Sequence, residues 1–201
     1  MSHNPIPVAK PTEMYHHGDL RRALISAALA EVERTDPGSI SVSALAKTLG
    51  VSRAAPYQHF SDRDEVLAAV AMEGFKVFAA ALRKSVVVPS KRPALARMAC
   101  AYVSFGLERP GLYSLMFASP ILPNASADHD LRLAAQESFR LLMQVLGPSR
   151  NPDVRKRLAV RIWIALHGIV MLAKHGLLRD TDSGVEELVE DIIAQLKTTT
   201  A

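Results

Sequence analysis

The chain has 201 residues, 49% of them hydrophobic and 22% charged, which gives enough apolar matter for a packed core and too much for a disordered chain. No run approaches the roughly 18 uninterrupted apolar residues needed to cross a bilayer, and the single cysteine, Cys100, excludes an internal disulfide framework and suits a reducing, cytoplasmic setting. The net charge of +4 carries no argument alone: residues 1–85 hold ten Lys and Arg against nine Asp and Glu, so only the placement of charge can matter.

Residues 1–14, with Pro5, Pro7 and Pro11 and no apolar stretch, read as a loose arm and not as a signal peptide. Beyond them a period of 3.6 recurs and a period of 2 does not, which predicts an all-α protein. The first helix is expected from about Asp19 to Arg34, with Leu20, Ala23, Leu24, Ala27 and Ala28 on one face, until Asp36-Pro37-Gly38 breaks it. Ser41 is placed to cap a short second helix carrying Val42, Leu45, Ala46 and Leu49, and Gly50 turns its end. Ser52 is expected to cap a third helix running through His59, with Pro56 in its first turn starting it late or in a tightened turn. Ser61 is expected to cap a fourth, from Asp62 to about Lys84, with Asp64 as the weaker partner in a capping box. The run Val86-Val87-Val88-Pro89 marks the first boundary between domains. Further helices are predicted at about 91–107, 110–117, 127–147, 152–178 and 183–198, separated by Pro and Gly.

Residues 41–60, SVSALAKTLGVSRAAPYQHF, have the pattern of a helix-turn-helix. Ala46 is small where two helices cross, Gly50 makes the turn, and Val51 packs the corner. A plain helical hairpin fits the short apolar pair as well. The wider run decides between them: YHHGDLRRALISAALAEVE from Tyr15, then LAKTLGVSRAAPYQHFSDRDEVLAAVA, resembles the TetR-family DNA-binding domain over most of its length. The resemblance implies that Tyr57 and His59 meet phosphates and that Arg63 clamps the DNA backbone, contacts that set register without reading sequence. Base readout then falls to Arg53, Ala54, Ala55 and Gln58, with Ser43 near the start of the second helix; Ser41, Ser52 and Pro56 belong to the same expected interface. Arg53 suits guanine, Gln58 adenine, and an alanine methyl suits thymine. Ser43 stands where many family members carry Arg, and the Ala-Pro-Tyr sequence around Pro56 is shared by a subgroup.

In the second half, RPGLYSLMF at 109–117 and WIALHGIVML at 163–172 resemble the C-terminal domain of a TetR subgroup with a Trp-His-Gly signature, here Trp163, His167 and Gly168. That resemblance implies a dimer formed by the last two helices. The residues agree: Val185, Leu188, Val189, Ile192, Ile193 and Leu196 form one stripe, with Glu186, Glu187, Glu190 and Asp191 expected to face solvent. The preceding helix offers Ala165, Gly168, Ile169, Leu172 and Gly176 for close approach. Packing within one chain is the alternative. The middle helices are rich in side chains that adapt to apolar ligands: Met98, Tyr102, Phe105, Tyr113, Met116, Phe117, Phe139, Met143, Trp163, His167 and Met171. A filled core explains any one of them, and His167 suits either a ligand anchor or a structural hydrogen bond.

The organisation expected is therefore an arm at 1–14, a three-helix helix-turn-helix domain at 15–85, and a C-terminal helical domain at 86–201 joined to it through the fourth helix. The function that the resemblance implies is a ligand-responsive transcriptional regulator acting as a repressor, a homodimer on palindromic double-stranded operator DNA released by a small, mostly apolar effector. The alternatives are an activator of the same family, a helical-bundle enzyme, or a protein-interaction module. No di-iron spacing, phosphate loop or nucleophile elbow occurs, so no catalytic residue, cofactor or membrane partner is expected. His16-His17 diverge on a helix and lack further ligands, so no metal is expected either.

Overall fold

Leu20, Leu24, Ala28 and Val32 recur every fourth residue, and in α1 (His17–Arg34) this row is buried. The computed structural model of the chain describes residues 17–35, 37–124, 130–178 and 184–198; the expected N-terminal arm and His16 lie outside them. A 3₁₀ turn at Pro37–Ser39 leads into α2 (Val42–Thr48), which Ser41 caps by accepting from the Ala44 N–H. At its other end Gly50 has φ +70°, a left-handed conformation that glycine enters without steric cost. The Val51 N–H reaches the Ala46 carbonyl and the Gly50 N–H that of Lys47. These two bonds satisfy otherwise orphaned helix-end acceptors and aim the chain across α1.

The segment after the turn starts late and in a tightened turn, as expected from Pro56, but Ser52 does not cap it. In place of an α-helix from Ser52 to His59 there is a four-residue 3₁₀ helix, Ala55–Gln58, without a side-chain cap. The physical reason is Pro56. An α-helix capped at Ser52 would need the N–H of residue 56 for its first bond, and proline has none. The Ser52 carbonyl instead takes the Ala55 N–H, and the Tyr57 N–H goes to Ala54. The proline ring is buried.

With 3₁₀ turns left unnumbered, the long helix that follows is α3 (Arg63–Val87). Its cap is Asp62 and not Ser61: Asp62 accepts from the Glu65 N–H at 2.8 Å, and the Glu65 carboxylate accepts from the Ser61 N–H and hydroxyl at 2.6 and 2.9 Å. The box is thus closed by Glu65, one residue beyond the expected Asp64, and such a cap contributes about 1 kcal/mol. Val66, Leu67, Val70, Phe75, Phe78 and Leu82 are all buried because α3 is enclosed by α1 on one side and by later helices on the others. Truncating Phe75 or Phe78 there costs about 3–5 kcal/mol.

The remaining helices are α4 (Ala94–Glu108), α5 (Pro110–Phe117), a short α6 (Ile121–Asn124) that the sequence did not suggest, α7 (Asp130–Leu146), α8 (Pro152–Lys174) and α9 (Val185–Thr198). Among the described residues there is no strand. The helix α3 packs on α4, α5 and α7, while α8 and α9 lie on α4. Arg97 fastens the far end of α3, donating to the carbonyls of Ser85, Val86 and Arg92 at 2.7–2.8 Å; two of these are end-of-helix acceptors left without an intrahelical donor. The helix α8 stops at Lys174, four residues short of expectation, because Gly176 adopts φ +74° and the Leu177 N–H returns to Leu172.

No described helix is long and apolar enough to cross a membrane.

Candidate nucleic-acid interface and effector cavity

Residues 41–60 contain Lys47, Arg53 and His59 and no acid, so this segment concentrates positive charge that the chain as a whole does not. Behind it Pro56 and Phe60 are buried, with the Arg21 guanidinium 5.1 Å above the Phe60 ring. In front, Ser41, Ser43, Ser52, Arg53, Ala54, Tyr57 and Gln58 are exposed, Tyr57 by 55% although it is aromatic. Ser43, Ala44, Lys47, Ser52 and Arg53 line one shallow concavity. Lys47, four residues after Ser43 on α2, was missed by the sequence reading; its signal was that same i, i+4 spacing on the polar face of the helix.

Five expected contacts sit differently. Pro56 is core, Ala55 is half-buried against it, and His59 is half-buried. Arg63 turns inward. Its Nε donates to the Ile40 carbonyl at 2.8 Å, and one terminal nitrogen donates to Pro37 and Gly38 at 2.6 and 2.9 Å. Ser41 is similarly engaged, with its hydroxyl 3.0 Å from that of Ser43 as well as capping α2.

In the second half, the side chains expected to line one pocket divide into two groups. Met98, Tyr102, Phe139 and Trp163 line a cavity with Leu82, Leu95, Ala99, Ser138, Leu142, Ile162 and Leu166. It measures about 20 Å³, room for roughly one water. No charged side chain lines it. Phe105, Tyr113, Met116, Phe117, Met143, His167 and Met171 lie outside it. Phe105 and Phe117 pack on Phe78, and Tyr113 and Met116 are fully buried. These residues are joined to the cavity wall by a polar chain: Trp163 Nε1 to Tyr102 Oη at 3.1 Å, Tyr102 Oη to Tyr113 Oη at 3.0 Å, and Tyr113 Oη to His167 Nδ1 at 2.7 Å. Burial pushes the Tyr102 phenol up to about 12 and the Tyr113 phenol up further, so both remain donors, while burial lowers the pKa of His167. Cys100 is partly buried, and that burial raises its thiol, the reverse of what a redox-reactive cysteine requires.

Tyr113 lies on α5, and α5 grips the first helix. A Cβ added at Gly111 would overlap the carbonyl oxygen of Val32, and Arg109 pairs with Glu33 at 3.2 Å. At Gly74 of α3 a Cβ would come within 2.8 Å of Leu112 and Met116. One short helix therefore touches the cavity's polar chain, the long connecting helix and α1.

The helix α8 exposes an apolar row, Val160, Ile164 and Leu172, with Ile164 67% exposed. Gly168 falls in the same row, and a Cβ there would meet nothing within 4 Å. Of the other residues expected at a dimer contact, Ala165, Val185, Leu188, Ile192 and Leu196 are half-buried. Ile169 and Val189 are buried inside the protomer, and Gly176 serves the end of α8. Glu186 and Glu190 do not simply face solvent: Arg92 bridges them at 3.3 and 3.0 Å, the second as an ion pair without hydrogen-bond alignment. Among the described residues no cluster of metal-ligating side chains occurs.

Comparison with known proteins places this arrangement. Residues 24–70 match the family model for bacterial regulatory proteins of the tetR family, and residues 95–196 match that for the tetracyclin repressor-like C-terminal domain. The chain is 25% identical over 191 residues to an HTH-type transcriptional regulator of Mycobacterium tuberculosis, covering 94% of this chain and 83% of that one. It is 30% identical over 146 residues to a nucleoid occlusion factor of Marinobacter nauticus, covering 70% and 72%. A solved structure of a protein from Rhodococcus sp. RHA1 is 31% identical, with a TM-score of 0.76 over 93% of this chain and 98% of that one.

Proposed function

Because the chain belongs to the TetR family of bacterial regulatory proteins, which are transcriptional regulators and not enzymes, we propose that it is a homodimeric repressor that holds palindromic operator DNA and releases it on binding a small, neutral, mostly apolar effector. The observation that carries this reading is the acid-free face of Ser43, Lys47, Ser52, Arg53, Ala54, Tyr57 and Gln58, held outward by the buried Pro56 and Phe60. Phosphate contacts from Lys47 and Tyr57 position such a face, and Arg53 and Gln58 read base edges in the major groove.

A second copy is the occupant assigned to the α8 row. Val160, Ile164 and Leu172 are unpartnered in the protomer, and the open space at Gly168 suits another helix backbone. Pairing α8 and α9 with their copies across a two-fold buries this row and sets two recognition segments on successive turns of DNA.

The effector enters at the small cavity between α3, α4, α7 and α8. Its lining offers no charged side chain, and a buried charge without a partner is strongly disfavoured, which selects neutral compounds. Any ligand larger than water must push apart the side chains that line the cavity, which include Tyr102 and Trp163. Such a shift strains the Trp163–Tyr102–Tyr113 chain and so moves α5 against α1 and α3. To act, the effector must favour the non-binding arrangement by a few kcal/mol, about 1–3.

The test is titration of labelled DNA from the chain's own upstream region, at low and moderate salt, followed by competition with neutral aromatic and aliphatic compounds. Specific retention with an affinity that falls steeply with salt supports the reading. Absence of protection over any palindrome at low salt removes it.

A further inference from the structure

Resting on the DNA-binding reading above, we propose that Arg63 is a positioning residue: its guanidinium locks the start of the helix-turn-helix to the N-terminus of α3, in place of touching DNA phosphate. A guanidinium has five N–H donors. Nε–H goes to Ile40, the two hydrogens on one terminal nitrogen go to Pro37 and Gly38, and the other nitrogen donates to Asp64 Oδ1 at 3.3 Å. Four donors are thus engaged and one remains. A bidentate phosphate clamp needs a free fork of two parallel donors, and the side chain is only 37% exposed.

The position of the three carbonyls gives the arrangement its meaning. Pro37, Gly38 and Ile40 form the 3₁₀ turn and the residue just before Ser41, the cap of α2. The helix α2 in turn fixes the recognition segment through the Gly50 turn. Arg63 is the first residue of α3, the helix that runs from this domain into the effector half and is fastened at its far end by Arg97 in the same manner. A displacement of α3 therefore carries α2 and the recognition segment with it, and Arg63 is the joint. Lysine cannot replace it. An ammonium is a point donor whose three hydrogens do not span three carbonyls in the plane of a fork, although its charge toward DNA is the same.

The experiment measures operator affinity against salt for the wild-type chain, Arg63→Lys and Arg63→Ala, together with amide exchange of residues 37–45 in the absence of DNA. Fluorescence of Trp163, the chain's one tryptophan, reports that the other half remains folded, and active-fraction titration corrects the affinities. The expected result is about ten-fold weaker binding for both variants, a salt slope equal to the wild-type slope, and faster exchange at 37–45. A phosphate contact predicts the reverse: Arg63→Lys close to wild type, a slope smaller by about one for Arg63→Ala, and unchanged exchange. That pattern overturns the proposal. A wild-type chain that binds no DNA defeats the underlying reading instead, and the exchange data then still show whether the joint exists.

Discussion

The phenol oxygen of Tyr113 lies 2.7 Å from Nδ1 of His167, and this contact ends the polar chain behind the cavity. Indole Nε1 can only donate, so Tyr102 accepts from Trp163; with Tyr102 then donating to Tyr113 and Tyr113 to His167, every hydroxyl hydrogen in the chain has an acceptor. In that order the neutral histidine carries its proton on Nε2. Burial lowers the pKa of His167 and so favours this neutral form.

Tyr113→Phe removes one hydroxyl and leaves two partners unsatisfied, Tyr102 Oη as donor and His167 Nδ1 as acceptor. Both lie in or beside fully packed surroundings, so the expected loss of stability is about 1–3 kcal/mol, read from urea unfolding followed by Trp163 fluorescence. The ring remains and keeps its contacts with Phe117 and the imidazole at 4.7 and 5.6 Å. A variant as stable as wild type would show that the chain of hydroxyls is not held as described.

The same histidine makes stability depend on pH. Its folded pKa lies below the unfolded value of 6.5, so below that value the unfolded chain binds the extra proton more readily. Its contribution is fully present above about pH 6.5 and is lost as pH falls through the lower folded pKa. His167→Gln is expected to flatten this part of the profile, with unfolding midpoints compared at pH 5 to 8. An unchanged pH difference between the two proteins would place the titration on other groups.

The helix-turn-helix was legible because its grammar is local: Ser41, Ala46, Gly50 and Val51 each do what spacing alone predicts. The failures are of two kinds. At Ser52 a general rule for caps lost to a specific one, since Pro56 withdraws the N–H on which the expected helix depends. At Arg63, Arg97 and Gly111 the partners on other elements lie 11 to 79 residues away in sequence, and no period or motif announces a carbonyl that arrives from another element. The residues expected to line one pocket divide for the second reason as well. Composition marked the helices, but which aromatic rings face the cavity and which fill the core around Phe78 depends on helix rotation.

Arg53 and Lys47 share one concavity and are expected to differ in kind. Arg53→Ala costs about 1–3 kcal/mol and relaxes preference at one base pair, whereas Lys47→Ala weakens all sequences alike and lowers the salt slope by about one. Binding to a panel of operators with single base changes, at three salt concentrations, separates the two. Uniform weakening by Arg53→Ala moves that residue to the phosphate class.

Gly168 supplies the sharpest test of how two chains meet. Within one protomer an added methyl touches nothing within 4 Å, and alanine is favoured over glycine inside a helix by about 1 kcal/mol. Taken alone, then, Gly168→Ala should stabilise the chain. If α8 packs on its own copy through the row of Val160, Ile164 and Leu172, the same methyl enters a close helix contact and costs about 1–3 kcal/mol per added overlap, weakening the dimer ten-fold or more. The two effects act on different quantities and are measured separately. Sedimentation over a range of concentrations gives the dimer constant, and unfolding of the dilute protein gives protomer stability. The expected outcome is a weaker dimer built from a protomer no less stable than wild type, with Ile164→Asp giving a monomer. A Gly168→Ala dimer as tight as wild type would take α8 out of the interface and leave its exposed row to some other partner.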